Sequence, residues 1–136
     1  LDYALSMEAA LKLKEVSYIF SEAYAAGELK HGPIALLKEG RLVVAAITQP
    51  ALLEKTMSNL REVAARGAQV VAVCRESLAP KVRGQVDEVI TVPNADDLLA
   101  PLLAVIPLQL FAYCMAVARG CDVDKPRNLA KSVTVE

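Results

Sequence analysis

Residues 42–74 read LVVAAITQPALLEKTMSNLREVAARGAQVVAVC, and this stretch decides the fold. It begins with LVVAAI (42–47) and ends with QVVAVC (69–74), two short and almost wholly apolar runs that are typical of strands buried on both faces. Between them, residues 51–66 carry apolar side chains at helical spacing, and Gly67 is well placed to end that helix. The order strand, helix, strand predicts a right-handed crossover between two parallel strands.

The apolar positions of the helix at 51–66 also predict which of its faces is buried. The inward-facing side chains are expected to be Leu52, Leu53, Met57, Leu60, Val63 and Ala64.

The same alternation continues on both sides of this unit. EVITV (88–92) predicts a third strand, and residues 4–20 predict a long helix that precedes the first strand. A long apolar helix is expected from about residue 97 to residue 119, ended by Gly120. A short helix is expected around residues 34–37, and residues 77–84 are expected to form a short helix or a loop. We therefore predict an α/β fold, a flavodoxin-like doubly wound parallel sheet in three layers (α/β/α), with some strands missing.

The apolar run LLAPLLAVIPLQLFAYCMAVA (98–118) is long enough to suggest a membrane span. Pro101, Pro107 and Gln109 within it, and the globular pattern before it, favour a helix that is buried or covered by another subunit or domain. A kink at Pro107 is possible in that helix. We expect no membrane partner.

Length and composition limit the possible classes of protein. A chain of 136 residues suits one domain, and 54% hydrophobic residues with 4% aromatic ones require an aliphatic core. The net charge of −1 and the absence of a basic stripe exclude nucleic-acid binding. The three cysteines show no metal-ligand spacing, so we expect reduced thiols, no metal site and a cytoplasmic protein. Because the chain begins with Leu1 and in the middle of a helical pattern, we expect it to be part of a longer chain. No signal peptide is expected.

Glu8, Lys12 and Glu15 follow one another at spacings of four and three, which places them on one stripe of the first helix. Apolar residues flank this stripe on both sides: Ala4, Leu11 and Tyr18 on one, and Leu5, Ala9, Val16 and Phe20 on the other. Charged groups sheltered in this way can have shifted pKa values, so Glu15 is the candidate general base. The alternative is an ordinary Glu8–Lys12 pair, worth about 0.2–0.5 kcal/mol.

Two further residues are candidates for chemistry. His31, the only histidine, lies in a connection between Lys30 and Gly32, where it is either a proton shuttle or an ordinary exposed histidine. Lys131 lies in the polar C-terminal stretch and is solvated by default, but its amine becomes a nucleophile if the tail folds over a site. No Gly-rich loop follows a strand, so a substrate phosphate is expected to be held by residues outside this chain.

Two long motifs carry a family resemblance, namely EAALKLKEVSYIFSEAYAAGELKHGPIAL (8–36) and DVDKPRNLAKSVTVE (122–136). Together with the order of the elements between them, they resemble the C-terminal part of the glucosamine-6-phosphate synthase family, also called glutamine–fructose-6-phosphate aminotransferases (isomerising). The chain is similar to the second of the two SIS (sugar isomerase) modules of that family. The resemblance implies one domain, 1–136, that includes an active-site tail at 122–136.

The resemblance also implies a reaction. The family makes glucosamine 6-phosphate from fructose 6-phosphate and glutamine, without a cofactor, for amino-sugar synthesis. Glu15 would move a proton between C1 and C2, and Lys131 would form a Schiff base with the sugar. His31 would assist ring opening from across a homodimer interface. Lys12 and Glu8 would line the site, and the Ala130 backbone would touch the sugar.

Other members of the same superfamily remain alternatives. These are a phosphosugar isomerase or deglycase with another substrate, and a sensing module without catalysis. The glutaminase domain and the first SIS module of the family are expected as parts of the parent chain, and without them the fragment is expected to be inactive. The tail from about residue 122 is expected to be mobile when no sugar is bound.

Overall fold

The computed structural model describes residues 1–128. Its helices are α1 (Asp2–Ser17), α2 (Leu53–Ala64), α3 (Ala79–Val82) and α4 (Ala100–Ala118), and its strands are β1 (Leu42–Ile47), β2 (Gln69–Arg75) and β3 (Glu88–Val92). Short 3₁₀ helices form at Ala26–His31, Pro33–Leu36 and Pro50–Leu52.

The three strands form one parallel sheet in the order β1-β2-β3. Val43 of β1 pairs with Val70 of β2, and Val73 of β2 pairs with Ile90 of β3. The predicted fold class is confirmed: a parallel sheet lies between helical layers, and the boundaries predicted for the first and third strands are those observed.

Alternate residues of each strand contact opposite helical layers, as the period of two in a strand requires. Val70, Ala72 and Cys74 of β2 face α2, α3 and the Ala26–His31 helix. Val73 faces the other way, into a cluster with Leu5 of α1 and with α4. Helix α1 and helix α4 therefore share one layer, while α2 and the Ala26–His31 helix share the opposite layer.

Three predictions about burial need correction. Only β2 is buried on both faces. In the described sheet β1 and β3 are edge strands, so their side chains are largely half-buried or exposed. In α2, Leu53, Met57, Leu60 and Val63 are buried as predicted. Leu52 and Ala64 are exposed, because Leu52 belongs to the preceding 3₁₀ turn and Ala64 lies in the last turn of the helix.

Helix α4 is apolar on all sides but is buried on only one. Its buried residues recur at every fourth position: Ala100, Ala104, Leu108, Ala112 and Ala116. Small side chains on this stripe let α1 pack closely. The outward face of α4 carries Leu102, Ile106, Leu110, Tyr113 and Val117, each more than half exposed. By its length and composition α4 could cross a membrane, and 28% of the apolar segment that meets these criteria is buried.

Candidate functional site

The charged stripe of α1 is present in the structure as a connected group. The Lys12 ammonium lies 2.6 Å from Glu15 Oε2 and 3.8 Å from Glu8 Oε1. The Glu15 side chain is 24% exposed, while those of Lys12 and Glu8 are 35% and 41% exposed. Glu15 is thus the most sheltered of the three, although solvent still reaches it.

The hydrogen bond to Glu15 is the largest effect on Lys12 and raises its pKa above the ordinary value. Burial opposes this effect, and the charges of Glu15 and Glu8 add to the increase in the pKa. Lys12 therefore keeps its proton throughout the neutral range. It supplies a fixed positive charge beside the Glu15 carboxylate, close enough to orient one of its oxygens.

The flanks of this stripe differ from those that the sequence predicts. On one side Leu5 is buried and Ala9 and Val16 are half-buried, because α1 packs there against α4 and the sheet. On the other side Ala4 and Leu11 are exposed, since no described element covers that face. Phe20 belongs to neither flank, because the helix ends at Ser17 and Phe20 is 80% exposed.

Helix α1 ends at a residue with an unusual backbone. Tyr18 adopts the left-handed conformation (φ 59°, ψ 23°), while its amide still donates to the Lys14 carbonyl at 3.2 Å. Ser17 is fully buried and its hydroxyl donates to the Leu13 carbonyl. Because a left-handed residue cannot continue a right-handed helix, the chain turns away one residue after Ser17.

His31 is the last residue of the Ala26–His31 helix, and its side chain is exposed. The adjacent Gly32 has φ of +146°, a conformation that L residues rarely adopt, so the chain needs glycine at this turn. The preceding Lys30 pairs with Glu62 of α2 at 2.5 Å, which ties this short helix to the α2 layer.

The structure does not bring Glu15 and His31 together within one chain. Glu15 belongs to the α1–α4 layer and His31 to the α2 layer, on opposite faces of the sheet. Among residues 1–128 no hydrogen bond or ion pair joins them. Lys131 and Ala130 lie outside the described residues, as does the remainder of the predicted tail after residue 128.

Glu15 also lies away from the carboxyl ends of the strands, where ligands of doubly wound folds usually bind. The Asp2 carboxylate accepts hydrogen bonds from the amide and hydroxyl of Thr48, the residue that follows β1, so α1 starts at this edge. Glu15 lies thirteen positions after Asp2 along the helix, a rise of about 20 Å. Glu15 therefore lies near the end of α1 that is farther from this edge.

An open cavity of about 370 Å³ lies between Gly27 and α2, and another of about 380 Å³ lies between Met7 and Tyr24. Neither of these two cavities is lined by Glu15, Lys12 or His31. Within residues 1–128, no group of three or more His, Cys, Asp or Glu side chains is arranged to hold a metal ion.

One residue at this site was not among the predicted site residues. The Tyr18 hydroxyl accepts a hydrogen bond from the backbone amide of Arg127, and the Arg127 guanidinium lies over the Tyr18 ring. Sequence reasoning assigned Tyr18 only to an apolar flank, because the contact spans 109 positions along the chain. A local pattern carries no signal for such a pair.

Comparison with known proteins gives consistent results. A family model described as SIS domain matches residues 1–119. The chain is 60% identical over its whole length to a glutamine–fructose-6-phosphate aminotransferase (isomerizing) of Caldanaerobacter subterraneus subsp. tengcongensis, and 57% identical to one of Methanosarcina acetivorans. It spans 22% of the length of each.

Solved structures point the same way. The C-terminal domain of a glucosamine-fructose-6-phosphate aminotransferase from Francisella tularensis matches with a TM-score of 0.86 and 44% identity, over 91% of this chain and 35% of that one. A glucosamine-6-phosphate deaminase from Thermotoga maritima matches with a TM-score of 0.76 and 34% identity, over 96% of this chain and 37% of that one.

Proposed function

Since the chain belongs to the SIS domain family, we propose that it is the C-terminal isomerase module of a glutamine–fructose-6-phosphate aminotransferase (isomerizing). The 60% identity along all 136 residues supports this proposal. The observation that carries the chemistry is the half-sheltered Glu15 carboxylate, held 2.6 Å from Lys12. The proposed setting is a cytoplasmic enzyme of amino-sugar synthesis that needs no cofactor.

In the proposed reaction, His31 assists opening of the fructose 6-phosphate ring and the Lys131 amine forms an imine at C2, with loss of water. Ammonia from glutamine then displaces the lysine amine, leaving a protonated imine (C2=NH₂⁺) on the sugar. The Glu15 carboxylate removes a proton from C1, so that a C1–C2 double bond forms and the C2–N double bond becomes single. A proton returned to C2, with loss of the C1 hydroxyl proton, gives the aldehyde of glucosamine 6-phosphate.

Lys12 and Glu8 have supporting roles in this proposal. The charge of Lys12 holds one oxygen of Glu15, so the carboxylate keeps a fixed direction toward the sugar. Glu8 extends the polar wall of the site, and the backbone of Ala130 contacts the sugar. The glutaminase domain and a first SIS module of the parent chain supply ammonia and the phosphate-binding residues.

The opposite placement of Glu15 and His31 supports a homodimer in which each site takes its histidine from the partner. Within one chain the sheet separates the two residues, whereas a second copy can present His31 to Glu15 from outside. The outward apolar face of α4 offers a further surface for the rest of the isomerase half, since the Francisella domain is nearly three times as long as the matched region.

Isolated residues 1–136 are predicted to lack measurable conversion of fructose 6-phosphate, because the proposed site needs a phosphate-binding module that the chain does not contain. Glucosamine 6-phosphate is measured with added ammonia, so that a missing glutaminase activity does not decide the result. The control is a test protein in which this chain replaces the matching 136 residues of the Caldanaerobacter relative. Turnover by the isolated chain would contradict the prediction.

The shared site predicts complementation between two inactive variants of the test protein. Glu15→Gln and His31→Ala subunits, carrying different affinity tags, are co-expressed and the mixed dimer is isolated. If His31 acts across the interface, one of the two sites is intact, and about half of the wild-type activity returns. If both residues act within one chain, each site keeps a defect and no activity returns. The two parent homodimers are the controls.

The deaminase from Thermotoga maritima supports a second candidate, a glucosamine-6-phosphate deaminase. That reaction uses the same proton transfer in reverse and releases ammonia. Ammonia release from glucosamine 6-phosphate, without synthesis from glutamine, in the native full-length protein would favour it.

A further inference from the structure

We propose that Tyr18 is a positioning residue: through Arg127 it anchors the C-terminal segment, residues 120–128, on the end of the helix that carries Glu15. This inference rests on the proposed function for its catalytic part. The anchor itself stands on contacts among described residues.

Two contacts of different kinds join Tyr18 to Arg127. The Arg127 amide donates a hydrogen bond to the Tyr18 hydroxyl at 2.8 Å, and the Arg127 guanidinium carbon lies 4.2 Å from the centre of the Tyr18 ring. The first contact fixes the backbone of the C-terminal segment and the second fixes the side chain of the same residue. A cation over an aromatic face is attracted by the electron-rich ring. Tyr18 thus contacts both the backbone and the side chain of Arg127.

The backbone conformation of Tyr18 indicates that its surroundings hold the residue in place. A left-handed conformation is uncommon for a residue other than glycine and persists only where the surroundings maintain it. Here the Tyr18 amide is bonded to the Lys14 carbonyl, and the hydroxyl is bonded to Arg127. The left-handed turn ends α1 and directs the ring toward the C-terminal segment.

The segment between α4 and Arg127 follows a defined course to this anchor. Gly120 has φ of +69°, which turns the chain after α4. The Cys121 thiol then lies 3.9 Å from the Ser17 carbonyl at the end of α1. The Asp122 carboxylate accepts hydrogen bonds from the amides of Asp124 and Lys125, which bends the chain again.

The reach of the chain connects this anchor with the proposed site. Tyr18 follows Glu15 by three residues, and its amide still closes the last turn of α1, so its backbone lies about one helical turn beyond Glu15. The anchor therefore holds Arg127 at the end of the helix that carries Glu15. Lys131, the proposed Schiff-base lysine, follows Arg127 by four residues in the sequence, a length of chain that spans at most about 14 Å.

The test is Tyr18→Phe in the Caldanaerobacter chimera, which removes the hydroxyl and keeps the ring. The matched control is Tyr3→Phe, because Tyr3 is 46% exposed and lies near the start of α1, at the other end of the helix from Tyr18. We expect kcat for glucosamine 6-phosphate formation to fall about 2- to 10-fold in Tyr18→Phe, as for loss of one hydrogen bond, with KM little changed. Hydrogen exchange of a peptide covering residues 122–128 should become faster in Tyr18→Phe alone.

Each outcome decides a part of the inference. Unchanged exchange in Tyr18→Phe would overturn the anchor. Faster exchange with unchanged kcat would overturn the positioning role, because a contact that only stabilises the fold changes neither kcat nor KM. A parent chimera without any activity would count against the proposed function, while its exchange data still decide whether Tyr18 holds the segment.

Discussion

Replacing Glu15 by Gln is expected to lower kcat of the chimeric test protein by about 10²- to 10⁴-fold, the range for loss of a general acid–base group. The amide is nearly isosteric with the carboxylate and still accepts a hydrogen bond from Lys12, so the local geometry is kept. Only the capacity to take a proton from C1 and return it to C2 is lost. Sugar binding should therefore persist.

Three measurements separate this effect from a general loss of structure. Steady-state kinetics with fructose 6-phosphate should show the fall in kcat with KM changed little. Exchange of the C1 hydrogen with solvent, followed by NMR, should stop in Glu15→Gln, since the proton transfer itself is blocked. The control is Glu54→Gln, because Glu54 is an exposed carboxylate on α2, in the opposite layer.

Glu8→Gln provides a graded comparison on the same stripe. Its carboxylate lies 3.8 Å from Lys12 and is 41% exposed, so its ion pair is weaker than that of Glu15. We expect a much smaller fall in kcat. If Glu8→Gln and Glu15→Gln lowered kcat equally, or if Glu15→Gln left it unchanged, Glu15 would not be the proton carrier.

The strands were predictable from sequence because each is a short apolar run bounded by turn residues. LVVAAI and EVITV have the predicted limits in the structure, and parallel pairing follows from the helices between them. How far each strand is covered was not predictable, because it depends on neighbours in space. The run 42–47 is as apolar as 69–74, yet β1 is an edge strand of the described sheet and β2 is central.

The candidate site likewise has local features, which the sequence predicts, and non-local features, which it does not. The spacing of Glu8, Lys12 and Glu15 is local, and the structure confirms that the three charges lie on one face of α1, where each carboxylate pairs with Lys12. The relation of Glu15 to His31 is not local, since it depends on which face of the sheet each connection crosses. Phe20 was assigned to the flank of the stripe because the helical pattern continues past Ser17, whereas the left-handed Tyr18 ends the helix.

Helix α2 gives the sharpest test of what burial contributes to the stability of this chain. The helical pattern predicts that Leu52 and Leu60 are both buried, but Leu60 is 2% exposed and Leu52 is 46% exposed. The two residues carry the same side chain, lie eight positions apart and differ chiefly in burial. Leu52→Ala is therefore a matched control for Leu60→Ala.

Leu60→Ala is expected to lower the free energy of unfolding by about 2–5 kcal/mol, because it loses the transfer of a buried side chain from water and leaves a cavity. The cavity would open in the cluster that α2 forms with Ile47, Val70 and Val82, which are almost fully buried. Leu52→Ala removes little buried area and should cost less than about 1 kcal/mol. Urea unfolding of the chain, followed by circular dichroism, measures both values. Equal losses for the two variants would show that α2 does not pack on the sheet as described, and a larger loss for Leu52→Ala would place Leu52 in the core instead.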